Sequence, residues 1–254
     1  MESGEGTRPV APEITLEGAI SIQSALESSS RPIHEILVRA GRRERDVDRL
    51  IRHARVQQIT IREVSPAELD ALASGRSHGG VIARVGMRRF EPLDALIAGV
   101  NNPFITMLDG VEDPFNFGQA IRALYAAGAN GLVLRPRSWE NAASVVARAS
   151  AGTSERMLTA IVETAEAAAE FFRARGFTIA VTDKDRAVSI YDADLSGKLF
   201  LLIGGERRGV TRSFADAADI RLKIPYGRQF PMSLGTTSAA AVLAFEVFRQ
   251  RQGK

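Results

Sequence analysis

KLFLLIGGERRGV, residues 198–210, is the stretch that decides the fold of this 254-residue chain. Its first half, Leu199–Ile203, is a short unbroken apolar run. Such a run suits a strand buried on both faces, although periodicity alone leaves a buried helical turn open. It ends at Gly204-Gly205, where the backbone can take positive φ and lie close against a ligand. Glu206 follows, then Arg207, Arg208 and a third glycine, Gly209. In open α/β sheets ligands collect at the carboxyl ends of strands. The stretch therefore reads either as a strand feeding a ligand-facing turn or as a strand and a tight turn with no ligand.

Composition narrows the chemistry. The chain has no cysteine, so disulfides, thiolate nucleophiles and Cys-based zinc sites are excluded. Its three histidines, His34, His53 and His78, all lie in the first third, so the remainder cannot use histidine as base or ligand. No metal site is expected. The opening residues lack the basic start and apolar core of a signal peptide, and no apolar run approaches the ~18 residues of a membrane helix. A cytoplasmic protein with no membrane partner is expected. A net charge of +3 says little about nucleic acid. Only four of the 33 cationic residues are lysine, and arginine is the better side chain for bidentate phosphate contacts.

Outward from the central run, elements alternate. Residues 1–12 read as a disordered tail. In 13–90, Ile33–Val38 and Ile59–Val64 read as strands, and Glu44–Val56 as a helix burying Val47, Leu50, Ile51 and Ala54. Ser65-Pro66 opens a short helix over Pro66–Ala73, and Gly79–Val85 reads as a closing strand. Nine arginines lie between Arg31 and Arg62. Arg39, Arg42, Arg43 and Arg45 cluster where a strand meets a helix, either as a solvated face or as an RNA-facing patch. Residues 91–101 connect this unit to a second one over 102–254. There, strands at Phe104–Leu108, Gly131–Leu134, Phe177–Val181, Leu199–Ile203 and Ile220–Ile224 alternate with helices at Phe117–Ala127, Glu140–Ala149, Thr164–Arg175 and Leu234–Arg251. The alternation predicts an α/β fold with a parallel sheet covered on both faces.

Neither G-x-G-x-x-G after a strand nor a Walker-type loop is present, so ordinary dinucleotide and P-loop sites are disfavoured. Three other segments can build a site. Asp113–Arg122 places Asn116, Gly118 and Arg122 at the start of a helix, with Asn116 as its expected cap. The second is the turn carrying Glu206. The third is Ile220–Ala241, in which Ile224-Pro225 ends a strand and Ser233 is the expected cap of the last helix.

In their order and spacing, N-x-G-x-x-x-R, an apolar strand into G-x-E-x-x-G, and I-P followed by S-L resemble the SpoU/TrmH branch of the SPOUT RNA methyltransferases. Ala123–Gly131 and Ala149–Glu155 match in character, so the resemblance spans residues 102–251. The first third resembles more loosely that family's ribosomal-protein-like substrate-binding domain, with His78-Gly79-Gly80 near its His-Gln-Gly. The resemblance implies a C-terminal α/β domain with a deep trefoil knot, a smaller N-terminal α/β domain, and a homodimer formed through the knot domain. It implies S-adenosylmethionine held by Thr182, Gly204, Ile224 and Leu234, and catalytic roles for Asn116, Arg122, Glu206 and Ser233. The implied reaction is methylation of a ribose 2′-hydroxyl in RNA, with ribosomal RNA ahead of transfer RNA. Ser233-Leu234-Gly235 departs from the family's Ser-Leu-Asn, which keeps open a paralogue that binds RNA without modifying it.

Overall fold

The computed structural model describes residues 14–41, 44–74, 78–136, 142–184, 186–205 and 209–252. Within them the chain forms two sheets, and each begins from strands that its apolar pattern dictates. In the first, β1 (Ile14–Glu17), β2 (Ile33–Arg39), β3 (Thr60–Val64) and β4 (Val81–Val85) lie in the order β1-β4-β2-β3. Only the β2–β3 pair is parallel. Helix α1 (Ala19–Ser28) follows β1, and α2 (Arg45–Val56) joins β2 to β3. The four positions expected to face the core from α2, Val47, Leu50, Ile51 and Ala54, are its buried residues. They pack with Ile36, Val38, Val81 and Ala83 on one sheet face. Helix α3 (Pro66–Leu72) covers the other face with Leu69 against Leu37 and Ile82. Its cap is the expected one: Ser65 Oγ accepts from Glu68 N at 3.2 Å.

The second sheet has seven parallel strands: β5 (Phe104–Asp109), β6 (Gly131–Leu134), β7 (Thr159–Ile161), β8 (Thr178–Thr182), β9 (Val188–Ser189), β10 (Leu199–Gly204) and β11 (Ile220–Lys223). Their order is β7-β6-β5-β10-β8-β11-β9. The apolar run Leu199–Ile203 lies in the central strand β10, paired in parallel to β5 on one side and β8 on the other. All of Leu199–Ile203 is at most 1% exposed, so an unbroken apolar run is the signature of two covered faces here. Alternate residues serve opposite layers, as the two-residue strand period requires. Leu199, Leu201 and Ile203 face α4 (Pro114–Ala126) and α9 (Thr236–Gln252). Phe200 and Leu202 face α7 (Ala165–Arg173) and α8 (Arg212–Ala217), where the Phe200 and Phe172 rings stack at 4.8 Å.

The helices α5 (Ala143–Ala149) and α6 (Thr153–Arg156) join the two units. Ala143 and Ala147 of α5 complete the N-terminal core. On α6, the Glu155 carboxylate is 3% exposed and accepts from Ser30 Oγ at 2.5 Å and from Arg31 Nε and Nη2 at 3.0 Å each. Arg88 bonds the carbonyls of Ser154 and Met157 and reaches within 4.0 Å of Glu155. A second buried carboxylate, Glu17, accepts from Arg148 Nη1 at 2.7 Å and from Ser74 N at 2.5 Å. The connecting segment is anchored as well. Glu91 N donates to Thr159 O at 2.8 Å, and buried Leu96 fills the space beside Gly131.

Two cap assignments differ from the sequence expectation. Helix α4 starts at Pro114, three residues early, because Asp113 Oδ1 accepts from Asn116 N at 2.7 Å. Asp113 is the cap and Pro114 occupies the first turn, so Asn116 is not the cap. Helix α9 starts at Thr236, and Ala239 N donates to Gly235 O at 3.0 Å, so Gly235 rather than Ser233 holds the cap position. Strands β1, β7 and β9 and helices α1, α6 and α8 were not expected. The three strands are two to four residues long, and α1 follows Gly18 with no side-chain cap. The 1–12 tail lies outside the described residues.

Candidate cofactor and RNA site

Three loops leave the carboxyl ends of β8, β10 and β11 on the same edge of the parallel sheet and enclose a cavity of about 1020 Å³. Its apolar wall includes Ile203, Leu222, Ile224, Leu234 and Ala239. Thr182, Gly204, Ile224 and Leu234, the expected cofactor contacts, all line it, and so does Ser233.

Gly204 sits where the motif segments converge. Its N–H donates to Thr182 Oγ1 and its carbonyl accepts from Thr236 Oγ1, each at 3.4 Å. A Cβ on Gly204 would lie 2.7 Å from the carbonyl carbon of Gly209, and one on Gly205 only 2.1 Å from Gly110 O. Neither space admits a side chain, so Gly204 packs against Gly209, and Gly205 against Gly110, backbone to backbone beside the cavity. From the opposite side, Thr237 Oγ1 donates to Asn116 O at 3.1 Å. The first turn of α9 thus ties the start of α4 to the β10 turn, uniting segments far apart in sequence. Thr236 and Thr237 were not singled out as site residues. Their hydroxyls act across the fold, so no local spacing marks them.

Other expected residues stand apart. Asn116 and Arg122 do not line the cavity. They are six residues apart on α4, hence about 120° apart around its axis, and no hydrogen bond joins them. Arg122 is exposed and has no ion pair among the described residues. Glu206, Arg42 and Arg43 lie outside the described residues. Arg39 is exposed and stands 3.9 Å from Asp70. Among the described residues no cluster of three or more His, Cys, Asp or Glu is placed to hold a metal ion. No helix among them is long and apolar enough to cross a membrane.

The cavity is electropositive. Lys184, Arg186, Arg212, Arg221 and Lys223 line it against Asp183 and Asp216. Arg221 engages both carboxylates, Asp216 at 2.5 Å and Asp183 at 3.7 Å, leaving the other cations in excess. An apolar wall, a glycine backbone without side chains and a cationic mouth suit a ligand with an aromatic base and a charged tail.

Residues 103–245 match the model of the SpoU rRNA methylase family, and residues 15–91 match the model of an RNA 2′-O ribose methyltransferase substrate-binding domain. The chain is 29% identical to the 23S rRNA (guanosine-2′-O-)-methyltransferase RlmB of Shewanella oneidensis, over 92% of this chain and 96% of that one. It is 30% identical to the putative TrmH family tRNA/rRNA methyltransferase YacO of Bacillus subtilis, over 88% and 90% respectively. The crystal structure of the SpoU methyltransferase AviRb from Streptomyces viridochromogenes, in complex with AdoMet, superposes with a TM-score of 0.79. That likeness covers 94% of this chain and 91% of that one at 24% identity, and it bears on the fold.

Proposed function

The chain belongs to the SpoU rRNA methylase family, and from that membership we propose that it transfers a methyl group from S-adenosylmethionine to a ribose 2′-hydroxyl of RNA. The observation that carries this reading is the convergence of the three motif segments on the first turn of α9, beside an amphiphilic cavity. S-adenosylmethionine supplies an activated methyl group on a sulfonium. The residues present fit it: Ile224 and Leu234 offer apolar surface, Gly204 offers backbone, and the absence of a Cβ keeps the turn clear. Calorimetric titration with S-adenosylmethionine tests the fit. One molecule bound per protomer supports it, and no heat of binding at millimolar ligand contradicts it.

The chain's part in catalysis is chiefly to hold the acceptor oxygen in line with the methyl carbon. Arg122, whose planar guanidinium presents five donors and no acceptor, clamps phosphate and the developing oxyanion rather than acting as base. Asn116, Glu206 and Ser233 complete the catalytic set. A substrate phosphate or water removes the hydroxyl proton. Arg122 and Asn116 lie outside their own chain's cavity, which supports a site completed across a homodimer interface. The exposed faces of α4 and α9 suit that interface. Phe245 and Phe248 are 47% and 39% exposed, with ring centroids 6.2 Å apart. Phe245→Glu with Phe248→Glu is expected to convert a dimer into a monomer by analytical ultracentrifugation and to abolish methyl transfer. The trefoil knot belongs to this proposal, supported by the insertion of β10 between β5 and β8.

Ribosomal RNA in the cytoplasm is the favoured substrate, with transfer RNA second, since RlmB acts on 23S rRNA and an N-terminal substrate-binding match accompanies the methylase match. Arg39, Arg42 and Arg43 would then contact RNA phosphates. Reversing Arg42 and Arg43 to glutamate is expected to weaken RNA binding and to flatten its logarithmic salt dependence by roughly 0.7–0.9 per lost phosphate contact. Filter binding across a salt series measures this, and an unchanged slope would return the cluster to a solvated face.

A further inference from the structure

We propose that Tyr226 and Phe230 form the platform on which the base of the target nucleotide stacks, a subsite that rests on the RNA-methylation reading above. Both line the rim of the cavity with Met232, and the three are 40%, 54% and 64% exposed. Large apolar side chains left in water beside an otherwise polar opening mark a surface that something covers.

The geometry suits an aromatic ligand. The two ring centroids are 6.0 Å apart with planes inclined at 52°, an aromatic corner whose exposed ring faces are not closed into a stack. The corner is fixed before any ligand arrives. Leu234 N donates to the Tyr226 hydroxyl at 3.0 Å, and Lys184 Nζ donates to Pro231 O at 3.4 Å, holding the loop that carries Phe230 against the cavity. A preorganised surface loses little entropy on binding.

Charge selects the occupant. Lys184, Arg212 and Lys223 are exposed around the same mouth, while Asp183 and Asp216 both face Arg221. An aromatic corner ringed by excess cations matches an unstacked nucleotide, whose base has a π-face and whose backbone carries phosphate. The chemistry of the reaction requires the same placement. The base hangs from C1′, the carbon next to the one bearing the acceptor hydroxyl. A 2′-hydroxyl brought to the cavity therefore carries its base to the rim. The cofactor contacts Gly204, Ile224 and Leu234 occupy the wall and turn, and leave Phe230 and Met232 to the outside.

The test is methyl incorporation into total RNA from a strain lacking this gene, which holds the unmodified target whatever its identity. Phe230→Ala, at a half-exposed position, is expected to raise the KM for RNA roughly 5- to 100-fold. Affinity for S-adenosylmethionine should stay within about twofold, measured by calorimetry. Phe230→Trp should restore the KM, because any flat ring serves. A loss of cofactor affinity with an unchanged RNA KM would assign the rings to the cofactor and overturn the platform. So would an active wild type whose KM is untouched by Phe230→Ala. A wild type that transfers no methyl group to this RNA would overturn the functional reading itself, and the platform with it.

Discussion

Arg122→Ala is expected to lower the rate of methyl transfer by about 100- to 1000-fold, the usual loss when one preorganised donor to a developing oxyanion is removed. Affinity for S-adenosylmethionine should remain within about twofold, because Arg122 lies outside the cavity of its own chain. The two readouts separate a catalytic defect from a folding defect, and folding is not at risk at an exposed position without an ion pair among the described residues. Arg122→Lys is the sharper variant. It keeps the charge and removes the planar fork that meets phosphate and oxyanion together. Single-turnover rates close to wild type for Arg122→Lys would show that a point charge suffices and that the clamp is the wrong picture. Mixing Arg122→Ala protomers with protomers disabled in the cavity should restore activity to mixed dimers if the site is shared.

The largest stability effect is expected at Glu155. Its carboxylate is buried between the two units and is satisfied by Ser30 and Arg31, with Arg88 at 4.0 Å. Glu155→Ala leaves two guanidinium groups facing an uncharged, buried space, which costs about 3–5 kcal/mol. For a chain of this size that lowers Tm by on the order of 10 °C. The carboxyl also sets an acid limit. Burial pushes its pKa up, but Arg31, Arg88 and the hydrogen bonds from Arg31 and Ser30 outweigh burial and hold it below the ordinary carboxylate value. The folded pKa is therefore lower than the unfolded one. The carboxylate stabilises the fold above the unfolded value of about 4.3, and that contribution is lost as the pH falls through the lower, folded value. Wild-type Tm should drop steeply below about pH 4, whereas Glu155→Gln should start lower at neutral pH and show a shallower acid limb. Parallel Tm profiles for the two proteins would contradict this account.

Burial on two faces writes itself into sequence as an unbroken apolar run, which is why Leu199–Ile203 could be read as the central strand. The amphipathic face of α2 was equally legible, since Val47, Leu50, Ile51 and Ala54 fall on one stripe. Elements of two to four residues carry too little periodicity to stand out, so β1, β7 and β9 were missed. At Asp113–Asn116 two good capping residues compete within one turn, and Pro114 decides between them by fitting the first helical position after Asp113. Five residues that line the cavity were singled out from the sequence: Thr182, Gly204, Ile224, Ser233 and Leu234. The hydroxyls of Thr236 and Thr237 and the Tyr226–Phe230 corner were not. Their partners are distant in sequence, or lie in a loop without periodicity, and only the folded chain sets them side by side.

The proposed reaction makes one bond, from a methyl carbon to a ribose oxygen. Total RNA from a strain lacking this gene is incubated with the full-length protein and S-adenosylmethionine carrying a deuterated methyl group. The RNA is then digested to nucleosides and analysed by mass spectrometry. Label is expected in a 2′-O-methylnucleoside, on the ribose fragment and absent from the base. Label on a base, or no label from a protein that binds the cofactor, would contradict it.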